Sequence, residues 1–131
     1  MKKLFFIFTL LAFVSCADED PIEPDTDPRD KFLGQWNVLE EEQGVGTLNY
    51  TATVVNDSGN TSRIQINNIY NLGSGVSVKA LVAGNSLSIS TQDADGITIS
   101  GSGTFSTNSF ILNYTADEGD QVHTIKATYT R

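Results

Sequence analysis

The chain has one cysteine among 131 residues. That excludes an intramolecular disulfide framework and any metal site built from several cysteines. It has one histidine, which limits acid–base chemistry near neutral pH to a single imidazole. Its three prolines all fall between positions 21 and 28. Bases are scarce, with 8 Lys and Arg against 16 Asp and Glu and a net charge of −8. No basic stripe is available for phosphates, so nucleic acid is not an expected partner. No segment after residue 30 keeps a helical period over ten residues. The longest uncharged apolar run, Leu4 to Val14, has eleven residues and falls short of the roughly 20 needed to cross a bilayer.

That run sits at the start of the chain. Lys2 and Lys3 precede it, and Ser15 and Cys16 follow it. A positive n-region, a short apolar core and a small residue make a secretory signal. Next comes "ADEDPIEPDTDPRD", residues 17 to 30. It carries seven acids against Arg29 alone, and its prolines and charges suit an extended tether without secondary structure. The division expected is a signal at 1–15, a tether at 16–30 and a working domain at 31–131. The domain itself is only mildly acidic, with nine acids and five bases.

Residues 31 to 131 alternate apolar and polar in short runs. Strands are expected at 35–42, 47–55, 61–68, 76–82, 86–91, 97–105, 109–115 and 121–131. Gly, Asn, Asp and Ser clusters separate them, as hairpin turns require. No proline interrupts a strand. Each run has one apolar face, as in Leu48, Tyr50, Ala52 and Val54. Eight short strands with short links predict an all-β, antiparallel, up-and-down barrel, because closure removes the bare edges. Gly101 and Gly103 share the inward parity of Ile99 and Phe105, which marks a bend or a close backbone approach.

Inward parity also selects an aromatic lining: Trp36, Tyr50, Phe105, Tyr114 and Tyr129. This set suits a pocket for a small apolar ligand, and equally a packed core. A domain of about 100 residues must bury most of its apolar side chains, which favours a filled interior. Glu40 shares the parity of Trp36, and closure makes the first and last strands neighbours. A Glu40–His123 pair is therefore one arrangement that parity allows. Catalysis would also need a nucleophile beside it, and none is placed, so His123 reads as a structural or rim histidine and the protein as a non-enzyme. Glu40 and Glu42 share a face of their strand; turned to the barrel mouth they could bind a cation or a basic partner, and the plainer reading is a strand end running into solvent. "QDADG", 92–96, lacks the distal Glu of a calcium loop and reads as a hairpin turn. No metal or dissociable cofactor is expected.

Two resemblances add to this. "FVSC", Phe13 to Cys16, resembles a bacterial lipobox. It implies a diacylglycerol on Cys16, the one covalent lipid expected, which would hold the chain at a membrane. Acids just after that cysteine, Asp18 to Asp20, resemble the surface-export signal of lipoproteins in the Bacteroidetes phylum, implying an outer-membrane, cell-surface location. "FLGQWNV", Phe32 to Val38, resembles the G-x-W opening of the calycin superfamily, which includes lipocalins, fatty-acid-binding proteins and avidins. That resemblance rests on Gly34 and Trp36. It implies a clamp in which an Arg near the chain's end, here Arg131, packs on Trp36. The function implied is a surface binding or interaction module with a ligand or protein partner; the alternative is a carrier of a small apolar molecule in the lumen.

Overall fold

The computed structural model describes residues 26–131. The signal, Cys16 and the acids Asp18 to Asp20 lie outside the described residues. Eight strands follow one another: β1 (Gly34–Glu42), β2 (Gly46–Asn56), β3 (Arg63–Asn67), β4 (Ser77–Ala83), β5 (Ser86–Ala94), β6 (Ile97–Ser106), β7 (Ser109–Asp117) and β8 (Val122–Thr130). Each pairs antiparallel with the next, and β8 returns to pair with β1, from Asn37↔Thr130 to Glu42↔Ile125. The result is a closed barrel in chain order, as the alternation predicts.

Period-two burial drives the closure. Trp36, Val38 and Glu40 of β1 are buried while Gln35, Asn37 and Glu41 are exposed. The same rhythm runs through Val78, Ala80 and Val82 of β4 and through Phe110, Leu112, Tyr114 and Ala116 of β7. Inward side chains from all eight strands form one contiguous core cluster.

Each end of the barrel is stoppered by a short turn. At one end a 3-10 turn, Asp30–Phe32, carries Phe32 beneath the strands. Its ring meets Phe105 and Phe110 edge-on, with centroids 5.4 and 5.3 Å away. Trp36 Nε1 donates to the Phe32 carbonyl at 2.8 Å. At the other end the β3–β4 connection folds inward through Ile69–Asn71, with Ile69 fully buried. Asn68 pins it, donating from Nδ2 to the Thr51 carbonyl at 2.6 Å and accepting from the Gly73 N–H at 2.7 Å.

Gly101 stands opposite Tyr114 where β6 presses on β7. A Cβ there would lie 2.5 Å from Tyr114 Cβ and meet the Asn113 carbonyl, so only glycine permits the approach. The β5–β6 hairpin turns on Asp95 and Gly96, both at positive φ, while Gln92 to Ala94 belong to β5. Between Ile89 and Gln92 the β5–β6 register shifts at a bulge. Strands β4 and β5 share only three register pairs, Leu81↔Ser88 to Ala83↔Ser86. Beyond them the Gln92 amide stands in for a strand backbone. It accepts from the Lys79 N–H and donates to the Lys79 carbonyl, each at 2.8 Å.

The domain begins earlier than residue 31. Asp30 already belongs to the 3-10 turn. Arg29 is buried, with its Nε on Asp27 at 2.9 Å and its Nη1 on the carbonyls of Asn60 and Arg63 at 3.3 and 3.4 Å. The single base of the acidic segment thus latches residues 27–30 to the β2–β3 turn. A tether without structure through residue 30 is corrected on that ground.

Candidate functional site

The two ends of the barrel differ in chemistry. The end closed by Phe32 is aromatic and packed. Trp36 and Phe110 meet edge-on at 4.9 Å, and Phe110 stacks on Tyr129 at 4.2 Å. Arg131 lies across this end. Its Cζ is 3.9 Å from the Trp36 ring centroid, and Nη1 and Nη2 donate to the carbonyls of Leu33 and Lys31 at 2.5 and 3.1 Å. Gly34, at φ +111°, leaves room for this: a Cβ would sit 3.2 Å from Arg131 Nη1. Trp36, Phe105 and Tyr129, expected to line a ligand pocket, are therefore part of the aromatic packing at or just above this end.

The opposite end is polar and cleft. Glu40 is only 6 % exposed, and its Oε1 accepts from two phenols, Tyr50 at 2.5 Å and Tyr114. Both tyrosines, also expected as ligand contacts, stand behind this carboxylate. Burial first, and then the neighbouring phenols and the Glu40 charge, hold the Tyr50 and Tyr114 hydroxyls protonated far above the usual phenol range. Tyr129 is raised too, by burial first and then by the Glu40 charge, with the Tyr50 phenol pulling the other way.

One turn of the pleat further out, Glu42 hydrogen-bonds His123 Nδ1, and His123 Nε2 faces Glu118 Oε2 at 3.3 Å. The Glu42 bond first, with help from Glu118, raises the imidazole pKa above its ordinary value. A Glu40–His123 pair does not form. In the β1–β8 register Glu42 faces Ile125, so His123 lies beyond the end of β1 and reaches Glu42 instead. Glu40 and Glu42 thus do not run out into solvent; one is buried and the other is engaged by the histidine.

Tyr70, from the turned-in β3–β4 connection, covers this group. Its ring lies 6.4 Å from Tyr114 and 6.3 Å from His123, and its hydroxyl donates to Glu118 Oε1 at 3.4 Å. Burial and the Glu118 charge push its phenol up to about 12. Tyr70 and Glu118 escaped the sequence reading. The signal for Tyr70 was present: the break "IYNLGSG" holds Ile69, Tyr70 and Leu72, and a loop so apolar must bury something.

Between Tyr70 and the β1–β2 hairpin opens a cleft of about 210 Å³. Glu40 and Glu42 line it, and Val45 and Leu48 form its apolar rim. Val45 is 74 % and Leu48 47 % exposed. Among the described residues no group of three or more His, Cys, Asp or Glu is placed to hold a metal.

No family model matches the chain, and comparison with curated proteins gives no match. Among solved structures, a redesigned β-barrel is similar, with a TM-score of 0.58 at 13% identity over 80% of this chain and 95% of that one. At that identity the likeness is one of fold, and the fold is the closed eight-stranded barrel.

Proposed function

We propose that the chain is a non-enzymatic binding module, anchored by lipid on Cys16 at the outer membrane and displayed at the cell surface. In this reading the calycin-like barrel is a filled scaffold, and binding takes place at its polar mouth. The observation that carries it is the contrast between the ends. Of the aromatic residues expected to line a lumen, Trp36, Tyr114 and Tyr129 are packed into the core and Tyr50 and Phe105 lie half-buried against it, while the mouth offers a cleft with a buried carboxylate beneath an exposed apolar rim. Clefts that pair apolar walls with a few convergent polar groups are where small ligands are held. The packed interior weighs against a carrier that encloses its cargo. The G-x-W glycine, Trp36 and Arg131 contact supports the calycin reading.

The test is native mass spectrometry of the full chain after gentle extraction in a neutral detergent. A small-molecule adduct that Leu48→Trp abolishes, by filling the cleft, is the expected result. A clean mass, or an adduct indifferent to Leu48→Trp, defeats the mouth as the site.

A further inference from the structure

The mouth also indicates what charge its ligand carries; this step rests on the binding-module reading above. Glu40 is more than nine-tenths buried, yet both of its phenol donors converge on Oε1. No hydrogen bond to Oε2 joins these two among the described residues, and Glu40 lines the cleft. A carboxylate on so buried a residue is poorly solvated, and a ligand that brings charged donors offsets that cost. Glu42 stands beside it with one oxygen given to His123. Among the described residues that line the cleft, none is Lys or Arg. A ligand can supply the positive charge that the cleft's own lining does not.

The walls narrow the class. Tyr70 contributes an aromatic ring, to which a cation is attracted. Val45 and Leu48 offer hydrocarbon contact at the rim. About 210 Å³ is below the roughly 300–1,000 Å³ of pockets for drug-sized ligands. We infer that the cleft binds a small monoammonium compound, with its N–H groups directed to Glu40 Oε2 and a short apolar body laid against Leu48 and Val45. An ammonium presents three donors on a point charge, and its hydrogen bonds to a carboxylate are of the strong, charge-assisted kind. An alcohol of the same shape brings one neutral donor, and an acid brings repulsion.

Isothermal titration of the full chain in maltoside micelles with three probes of similar shape tests this. They are phenethylammonium, 2-phenylethanol and 3-phenylpropionate. Phenethylammonium is expected to bind, with the alcohol and the acid weaker by about tenfold or more. Glu40→Gln should weaken it by about tenfold, since the amide oxygen still accepts from Tyr50 and Tyr114 while the charge is gone. Glu41→Gln, on the exposed face, should leave it unchanged. If Glu40→Gln fails to fold, Glu42→Gln replaces it, with the same direction of loss expected. Equal binding of all three probes, equal loss in Glu41→Gln, or no response to phenethylammonium overturns the inference. An adduct in the native spectrum that Leu48→Trp removes, with no ammonium response, keeps the mouth and discards the cation; a clean spectrum with no response discards both.

Discussion

Arg131 and Trp36 sit at opposite ends of the described barrel sequence and in direct contact, guanidinium carbon over indole at 3.9 Å. The contact ties the final residue to the first strand. It also spans the β1–β8 seam, where the closure of the whole sheet is decided. The two carbonyls that Arg131 reaches belong to the segment carrying Phe32, so one side chain fixes the last strand, the first strand and the plug.

Arg131→Ala should therefore lower stability by about 1–2 kcal/mol, the sum expected of a cation–π contact and hydrogen bonds from a charged donor. Arg131→Lys should recover only part, because an ammonium lacks the fork that reaches two carbonyls. Urea midpoints at constant slope report both. A midpoint for Arg131→Ala equal to wild type would make the contact incidental.

His123 should titrate above its ordinary value of 6.5. A raised histidine pKa means that the folded state binds the proton more tightly than the unfolded one. Its contribution to stability is complete below the unfolded value and is lost as pH rises through the folded one. Glu42→Gln should pull the titration down, since the Glu42 bond is the largest cause. NMR titration of the imidazole Cε1–H reads this directly, and it is unambiguous because the chain has a single histidine. An unmoved midpoint in Glu42→Gln would contradict the pairing.

All four tyrosines are raised above the ordinary phenol value of 10.0. Folding protects the neutral phenols, so the stabilisation is complete below the unfolded value and is lost as pH climbs from there through the folded one. The phenolate absorbance near 295 nm should stay flat through pH 10. It should then appear together with the loss of barrel circular dichroism. A smooth titration at pH 10 in a folded chain would count against the buried cluster around Glu40.

Gly101→Val should destabilise severely, by about 1–3 kcal/mol or more, because its side chain must occupy space held by the Tyr114 backbone and Cβ. Gly75→Ala, where a Cβ meets nothing, serves as the control. Thermal melts of the two variants should separate clearly.

For the anchor, Cys16→Ala should move the protein from the membrane fraction to the soluble one. Replacing Asp18, Glu19 and Asp20 by Ser should leave lipidation intact and reduce cleavage by protease added to whole cells. Retention of Cys16→Ala in the membrane would end the lipid-anchor reading.

The strands were legible because each carries its own record of which face is wet. Val78, Ala80 and Val82 predict their burial from alternation alone, with no knowledge of neighbours. The contact of Trp36 with Arg131 was legible through the calycin resemblance, which implies an Arg near the chain's end packed on the G-x-W tryptophan. What sequence cannot supply is register. His123 has the right parity to meet either glutamate, and only the β1–β8 offset selects Glu42. Gln92 looked like a turn residue because its neighbours Asp93, Asp95 and Gly96 are turn formers. Its true position depends on a bulge that no local pattern announces. Arg29 was hidden by the acids around it; its partners Asn60 and Arg63 lie more than thirty residues away.

Closing a sheet hides every strand edge except where the zip is incomplete. In this barrel that place lies between β4 and β5, and one primary amide spans it by imitating a peptide group. Free peptide groups in that gap would be an invitation to a strand from another copy. The Gln92 side chain therefore does two things at once: it completes the zip of this barrel, and it leaves the Lys79 peptide group with nothing to offer a strand from elsewhere.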